Sequence, residues 1–552
     1  VDNHTFFAAT DAVAGSVALS ALAGIVPLAA FFVFLMGFKL KAHTSALLSV
    51  VVALIVAIAA FGMPVGLSLL SLTQGVAFGL FPIVFIIWMA VWIYDLTVKS
   101  SRFEDMRVIF SKIGRGDKRV QAMLIGFAFG GLLEALAGFG APIAIVISML
   151  VAIGIEPLKA VIVTFVANAA PVAFGAMAIP VTTAGGLTSL DPTVVAAMAG
   201  RQLSVMAFVV PFVLCLIMDG VRGIKQCWPM AIVLGTTFGG GQFLASNFFA
   251  YELTDVVACL ISLICGIGFL TVWGPKTPAE QASAIDADSL TLSGRDASLA
   301  LFPYILIVVV FAITKLWRIG VDIPAALSST DLKIQWPGLY GKLVNEQGEP
   351  ITSTIFNFNW LSNPGTILFF CGVITVIVYV AMSTKDRPLS AGAGFAELFI
   401  GLNRMKLSYL TIAAVMGLAY VMNFSGQTAA IGALLAGTGA IFPLLSPMLG
   451  WLGTAVTGSA TSSNALFAQM QSQTAQAIGV EQHLLVAANS AGAVAGKMVC
   501  PQTVALAAAS AKLDGGEAKI TAEAFKYSVG LLALMCLLVF LQSTSVLGWM
   551  VV

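Results

Sequence analysis

The sequence predicts an all-α polytopic membrane protein of about 12–14 transmembrane helices, and three observations carry that expectation. The 552 residues are 59% hydrophobic and 10% charged, with a mean hydropathy of +0.99, too apolar for one soluble domain or for several. Apolar runs long enough to cross a hydrocarbon core recur from end to end. Two glycine-broken segments, one in each half, resemble each other.

In chain order the candidate spans fall near 16–38, 44–62, 75–94, 120–153, 160–184, 202–218, 228–250, 256–274, 299–314, 365–383, 407–423, 427–449, 451–470, 482–510 and 527–550. The first follows a leader without a basic n-region, so it is expected to be a retained span and not a cleaved signal peptide. The stretches 120–153 and 451–470 are too long, or too broken by Gly and Ser, for plain single spans. Phe103, Met106, Phe110 and Ile113, and again Phe395, Leu398, Phe399 and Leu402, form apolar stripes among charges. Each marks an interfacial helix lying in the acyl boundary or a short solvated connector.

Twenty of the 27 Lys and Arg fall on one set of loops, seven of them between Lys99 and Arg119. The opposite set, dominated by the 315–360 segment, holds Lys315, Arg318, Lys333 and Lys342. Because Lys- and Arg-rich loops stay cytoplasmic, both termini are expected outside. The net charge of +1 gives no field to attract nucleic acid. Seven scattered cysteines without a CxxC pair, and three histidines in loops or at span ends (His4, His43, His483), predict neither metal nor cofactor. With no GxSxG, HExxH or phosphate loop, an enzyme is not expected.

The repeat is the strongest pointer to function. NAAPVAFGAMAIP at 168–180 and NSAGAVAGKMVCP at 489–501 share Asn, Ala, Gly, Met and Pro in register at an offset of 321. Some thirty residues upstream of each lies a glycine-broken tip, AGFGAP at 137–142 and TGSATSSN at 457–464. Membranes tolerate irregular backbone only where protein or a wet cavity satisfies it. Paired broken segments in corresponding halves therefore predict a transporter site at the repeat interface, formed by two inverted hairpins that meet near the bilayer midplane.

Glu134 is read as the only carboxylate well inside an apolar segment, three residues before the first tip. Burial disfavours its charged form, which makes it a candidate for proton exchange; its bland alternative is a structural acid beside the hairpin. Arg201 is a candidate anion ligand through its planar guanidinium, or else a snorkelling interface residue. Asp219 is read mainly as a helix-end partner of Arg222 and only secondarily as a coupling group. Lys497 stands where the first repeat has Ala176, a buried cation suited to an anion. Gly138, Phe139, Gly140, Asn168, Gly458, Ser459, Thr461, Ser462, Ser463, Asn464 and Asn489 complete the candidate substrate site with uncharged donors and helix N-termini. That inventory suits a small carboxylate bearing a hydroxyl.

These residues also carry a resemblance. EALAGFGAPIAI at 134–145, NAAPVAFGAM at 168–177, GRQL at 200–203, MDGVRGIK at 218–225, GWLG at 450–453, TGS at 457–459, TSSNALF at 461–467, LLVAAN at 484–489 and GKM at 496–498 resemble the bacterial L-lactate permease family, over nearly the full length and most weakly at 276–360. The resemblance implies an inner-membrane symporter that takes up L-lactate, D-lactate or glycolate with protons. It also implies re-entrant hairpins in inverted repeats, an elevator-like movement in contact with membrane lipid, and a homodimer. One departure stands out: where the family reads TGSDTSSN, this chain has Ala460. Coupling then runs through Glu134 or another group, through sodium, or the chain is transport-impaired.

The expected division is 1–119 for N-terminal scaffold helices and the first interfacial segment, then 120–219 for the first repeat core. Residues 220–406 form further scaffold, with a cytoplasmic loop at 275–298, an external loop at 315–364 and the second interfacial segment at 385–406. Residues 407–511 are the second repeat core, and 512–552 the C-terminal loop and last helix.

Overall fold

The computed structural model describes residues 5–112, 114–136, 141–283, 292–316, 321–345, 348–513 and 516–552. Ten helices among them are long and apolar enough to cross a membrane, and twelve if each of two bent pairs counts as one span. Neighbouring apolar runs join more often than hydropathy suggests. The runs at 202–218 and 228–250 belong to one helical stretch, Pro192–Phe248, interrupted at Asp219 and Gly220, where Gly220 adopts φ 60°, ψ −148°. The chain folds back there, and Gly235 and Gly239 lie against the backbone of Phe208 and Ser204.

One element order occurs in both halves. In the first, the arms Lys118–Leu136 and Ala141–Ala152 precede a broken span, Pro157–Asn168 and Val172–Thr188, bent by 60°. In the second, the arms Phe442–Thr457 and Ala460–Ile478 precede Gln482–Gly496, a 3-10 turn at Lys497–Val499 and Pro501–Ser510. A long span follows each, from Pro192 in one half and Glu517–Gln542 in the other. The matched sequence blocks fall on the breaks. Ala176, Met177 and Ala178 adopt left-handed φ values of 46°, 61° and 59°, each costing roughly 1–2 kcal/mol without a glycine. Their counterparts at the repeat offset are the residues of the Lys497–Val499 turn.

The remaining helices pack beside this core. Val17–Phe32, Ala42–Ala59 and Val65–Phe78 lie against Gln427–Ala436 and Ala391–Ser425, while Phe85–Lys99 packs on Pro364–Ala381. Both amphipathic segments are helical. Phe103 and Met106 on Arg102–Lys112 are buried against protein, so that stripe is not a lipid-facing one; the Phe110 side chain and Ile113 lie outside the described residues. The second segment forms the first turns of Ala391–Ser425, with Phe399 exposed and Leu398 buried.

The long polar segment, expected as an external loop, contains short strands. Leu332–Gln335 pairs antiparallel with Ile355–Phe358, and Leu343–Val344 pairs parallel with Phe6–Phe7. The N-terminal residues and this segment therefore share one face.

Candidate substrate and proton site

The second tip forms because Gly458 takes φ 74° and closes the Phe442–Thr457 helix, its N–H bonded to the Thr454 carbonyl. Ser459 then caps the next helix, its hydroxyl accepting from the Ser462 N–H at 3.3 Å. The first N–H groups of Ala460–Ile478 have no partner within the helix and sit at the positive end of its dipole. This end borders a cavity of about 50 Å³, lined by Glu134, Val172, Gly175, Ala176 and Pro180 from the first half and by Gly458, Ser459, Ala460, Thr461 and Lys497 from the second. A water needs roughly 10–15 Å³ of such space, so the cavity suits a few small polar groups.

Glu134 and Lys497 meet at this cavity although 363 positions separate them in sequence. Lys497 Nζ lies 2.6 Å from Glu134 Oε1, and Asn168 Nδ2 donates to Oε2 at 3.1 Å. Gly175 packs closely beside them, since a Cβ there would lie 3.1 Å from Glu134 Oε1. The break of each half thus serves the hairpin of the other: Lys497 reaches the first hairpin arm, and Val172–Ala176 faces the second tip. Lys497 also lines a larger cavity of about 250 Å³ that passes Thr457, Ser459, Ser462 and Thr503 and reaches Ala42, His43 and Ser408.

Other candidate residues are used within the protein. Ser463 donates to the Gly450 carbonyl at 2.9 Å, and Asn464 donates to the Pro180 carbonyl at 2.7 Å and to Ser490 Oγ at 2.8 Å. Asn489 donates to Asn464 Oδ1 and accepts from Gln471. Asn464 thus bonds across to the first half at Pro180 while Ser463 and Asn489 bond within the second, whereas Thr461 and Ser462 face the cavities. Gly138, Phe139 and Gly140 lie outside the described residues.

Arg201 is placed elsewhere. Its Nε donates to Asn247 Oδ1 and its Nη1 to the Met550 carbonyl, both at 3.0 Å, so it anchors the C-terminal residues. Asp219 sits at the fold-back of Pro192–Phe248, bonded to Arg222 and to the buried Arg119, which also holds Asp117 and the Lys276 carbonyl. It belongs to a helix-end clamp remote from the cavity.

Glu134 is not the only deep acid. Asp255, at the start of Thr254–Val272, is 1% exposed and accepts from Gln242 Nε2 at 2.8 Å, while its second oxygen has no hydrogen-bond partner. Gln242 also donates to the Ala170 carbonyl in the first break. The sequence reading passed over Asp255 because it precedes its apolar run. The absence of any Lys or Arg between Lys225 and Lys276 was the available signal.

The L-lactate permease family model matches residues 20–546. Glycolate permease GlcA of Escherichia coli K12 is 38% identical over 97% of this chain and 98% of its own length. The L-lactate permease of Bacillus subtilis 168 is 37% identical, and that of E. coli K12 38% identical, each over 98% of both chains. Among solved structures, the Alcanivorax borkumensis YdaH transporter aligns with a TM-score of 0.46 and 16% identity, over 86% of this chain and 87% of its own. The family match and the full-length relatives establish that this multi-pass helical chain belongs to the L-lactate permease family.

Proposed function

We propose that this chain imports L-lactate, together with D-lactate, glycolate and similar 2-hydroxy monocarboxylates, by proton symport across the bacterial inner membrane. The observation that supports the reading is the buried Lys497–Glu134 pair at a small cavity, since an amine suited to an anion and a carboxyl suited to a proton lie side by side. The relatives named as L-lactate and glycolate permeases supply the substrate class. Lys497 gives the carboxylate its charge partner, and Ser459, Thr461, Ser462 and the N–H groups of the second tip bind the remaining oxygens.

The larger cavity is lined by Ala42, His43, Leu407 and Ser408, which follow Lys39, Lys41 and Lys406 in the sequence. On the charge rule that end is cytoplasmic, both termini are external, and the described state faces inward. Inverted repeats moving as an elevator against the scaffold, in a homodimer, complete the reading.

Uptake of labelled L-lactate into proteoliposomes is the test. Accumulation should survive replacement of sodium by choline and collapse when an ionophore removes the pH gradient. Dependence on sodium, or equilibration without accumulation, would replace the proposal by a sodium symporter or a channel. Ala460 lines the cavity beside Lys497, so Ala460→Asp puts a second acid at a helix N-terminus there. Proton-driven uptake is expected to rise; no gain would show that Glu134 suffices.

A further inference from the structure

We propose that the substrate carboxylate and the Glu134 carboxylate are alternative partners of Lys497, and that a proton taken up by Glu134 lets one replace the other. The inference rests on the proposed function, because the exchange needs a carboxylate substrate.

Three observations point to it. First, the ammonium a substrate would need already has a carboxylate on it, Glu134 Oε1 at 2.6 Å. A substrate anion arriving while Glu134 is charged would bring two buried carboxylates to one lysine, and like charges at such a depth disfavour each other. Second, the larger cavity is lined by Lys497 and the second tip but not by Glu134, which lines the small cavity. An anion in the larger cavity can therefore touch the lysine without touching Glu134. Third, the other Glu134 oxygen accepts from the neutral amide of Asn168, a donor that serves a carboxylic acid as well as a carboxylate. The acid form therefore keeps its place when Lys497 leaves it.

Proton and charge balance follow. In the empty site Glu134 is negative and Lys497 positive. In the loaded site a proton from solvent resides on Glu134, Lys497 remains positive, and the substrate is negative. The net charge of the pair and its contents is zero in both, so the loaded and the empty core can each cross the low-dielectric barrier. A proton without the anion, or the anion without a proton, leaves one buried charge uncompensated. One proton per carboxylate, moved without net charge, is the consequence.

Other charged groups around the Glu134 helix do not supply this exchange. Asp255 on Thr254–Val272 is bonded to Gln242. Lys159 on Pro157–Asn168 is bonded to the Met218 carbonyl. On Phe85–Lys99, Asp95 is paired with Arg404 and Lys99 with Glu397. Gly175–Thr188 and Ala141–Ala152 carry no ionisable side chain.

The experiment is calorimetric titration of the full chain in lipid nanodiscs with L-lactate, in two buffers of different ionisation enthalpy and over a series of pH values. The wild type should take up about one proton per lactate on the alkaline side, with affinity falling about tenfold per pH unit there. Glu134→Gln should bind lactate without proton uptake and with a flat pH profile, and Asp255→Asn should leave the proton count unchanged. Lactate binding by the wild type without proton uptake overturns the exchange and leaves the functional reading intact. Binding of neither lactate nor glycolate overturns that reading and the exchange with it. The wild-type proton count needs no variant, so it decides the matter even if Glu134→Gln misfolds. In proteoliposomes, an imposed potassium diffusion potential at constant pH should leave uptake unchanged; uptake that follows the potential contradicts the charge balance.

Discussion

The core and the scaffold are both built from apolar helices, yet they are held together differently. Every position from Arg119 to Leu136 is buried, against 33% of the Val17–Leu35 window and 28% of Gly294–Phe311. Scaffold helices turn Leu22, Ile55 and Ile305 outward and meet their neighbours at small residues: Gly75 sits on the Met416 carbonyl and Gly24 on that of Gln427. Scaffold helices also bond across, Gln427 to the Ala53 carbonyl and Trp92 to that of Gly394, and the fully buried core is tied by side-chain amides on backbone carbonyls. Gln471 donates to the Ser446 carbonyl, Gln202 to that of Leu484, and Asn464 to that of Pro180. Lipid can replace an apolar contact with little loss, but it cannot replace a hydrogen bond.

The largest expected effect tests the core at its ion pair. Lys497→Met leaves Glu134 buried without its cation, at a cost of about 3–5 kcal/mol, and removes the proposed charged ligand for lactate, an expected loss of roughly tenfold to hundredfold in affinity. Thermal unfolding and calorimetry should show both, and adding Glu134→Gln should restore much of the stability but not the binding. Stability unchanged in Lys497→Met would mean the pair is not buried as described.

A smaller loss is expected when a stitch between the halves is cut. Asn464→Leu withdraws donors from the Pro180 carbonyl and Ser490, which should cost about 1–3 kcal/mol and appear as faster amide exchange around 176–180. The scaffold counterpart is Gly75→Ala, whose Cβ would lie 2.6 Å from the Met416 carbonyl. Overpacking there should cost about 1–3 kcal/mol while lactate affinity stays at the wild-type value, since no site residue moves. Reduced affinity in Gly75→Ala would show that scaffold and site are coupled more tightly than the comparison allows. The smallest effect belongs to Arg201→Ala. Arg201 serves Asn247 and Met550 and lies away from the cavity, so lactate affinity should not change; a weakened Kd would return it to the anion site.

Much of this was legible in the chain. Composition and run length determine a helical membrane protein, because the hydrophobic effect acts on local segments. Gly458 and the two matched blocks marked the breaks, because backbone that cannot remain helical in lipid needs special residues wherever it occurs. Glu134 and Lys497 were conspicuous for a local reason too, as charges among apolar neighbours.

Tertiary structure alone decided which of those residues meet. Hydropathy could not tell that Lys497 ends on Glu134 while Arg201 ends on Met550, since each choice depends on how helices hundreds of residues apart dock. Nor could it tell that Ser463, Asn464 and Asn489 spend their donors on the protein, or that Asp255 is buried by Gln242 and the first break. A charge is noticed in sequence because of its neighbours along the chain. Its role is fixed by its neighbours in space, since Coulomb and hydrogen-bond energies fall away within a few ångströms.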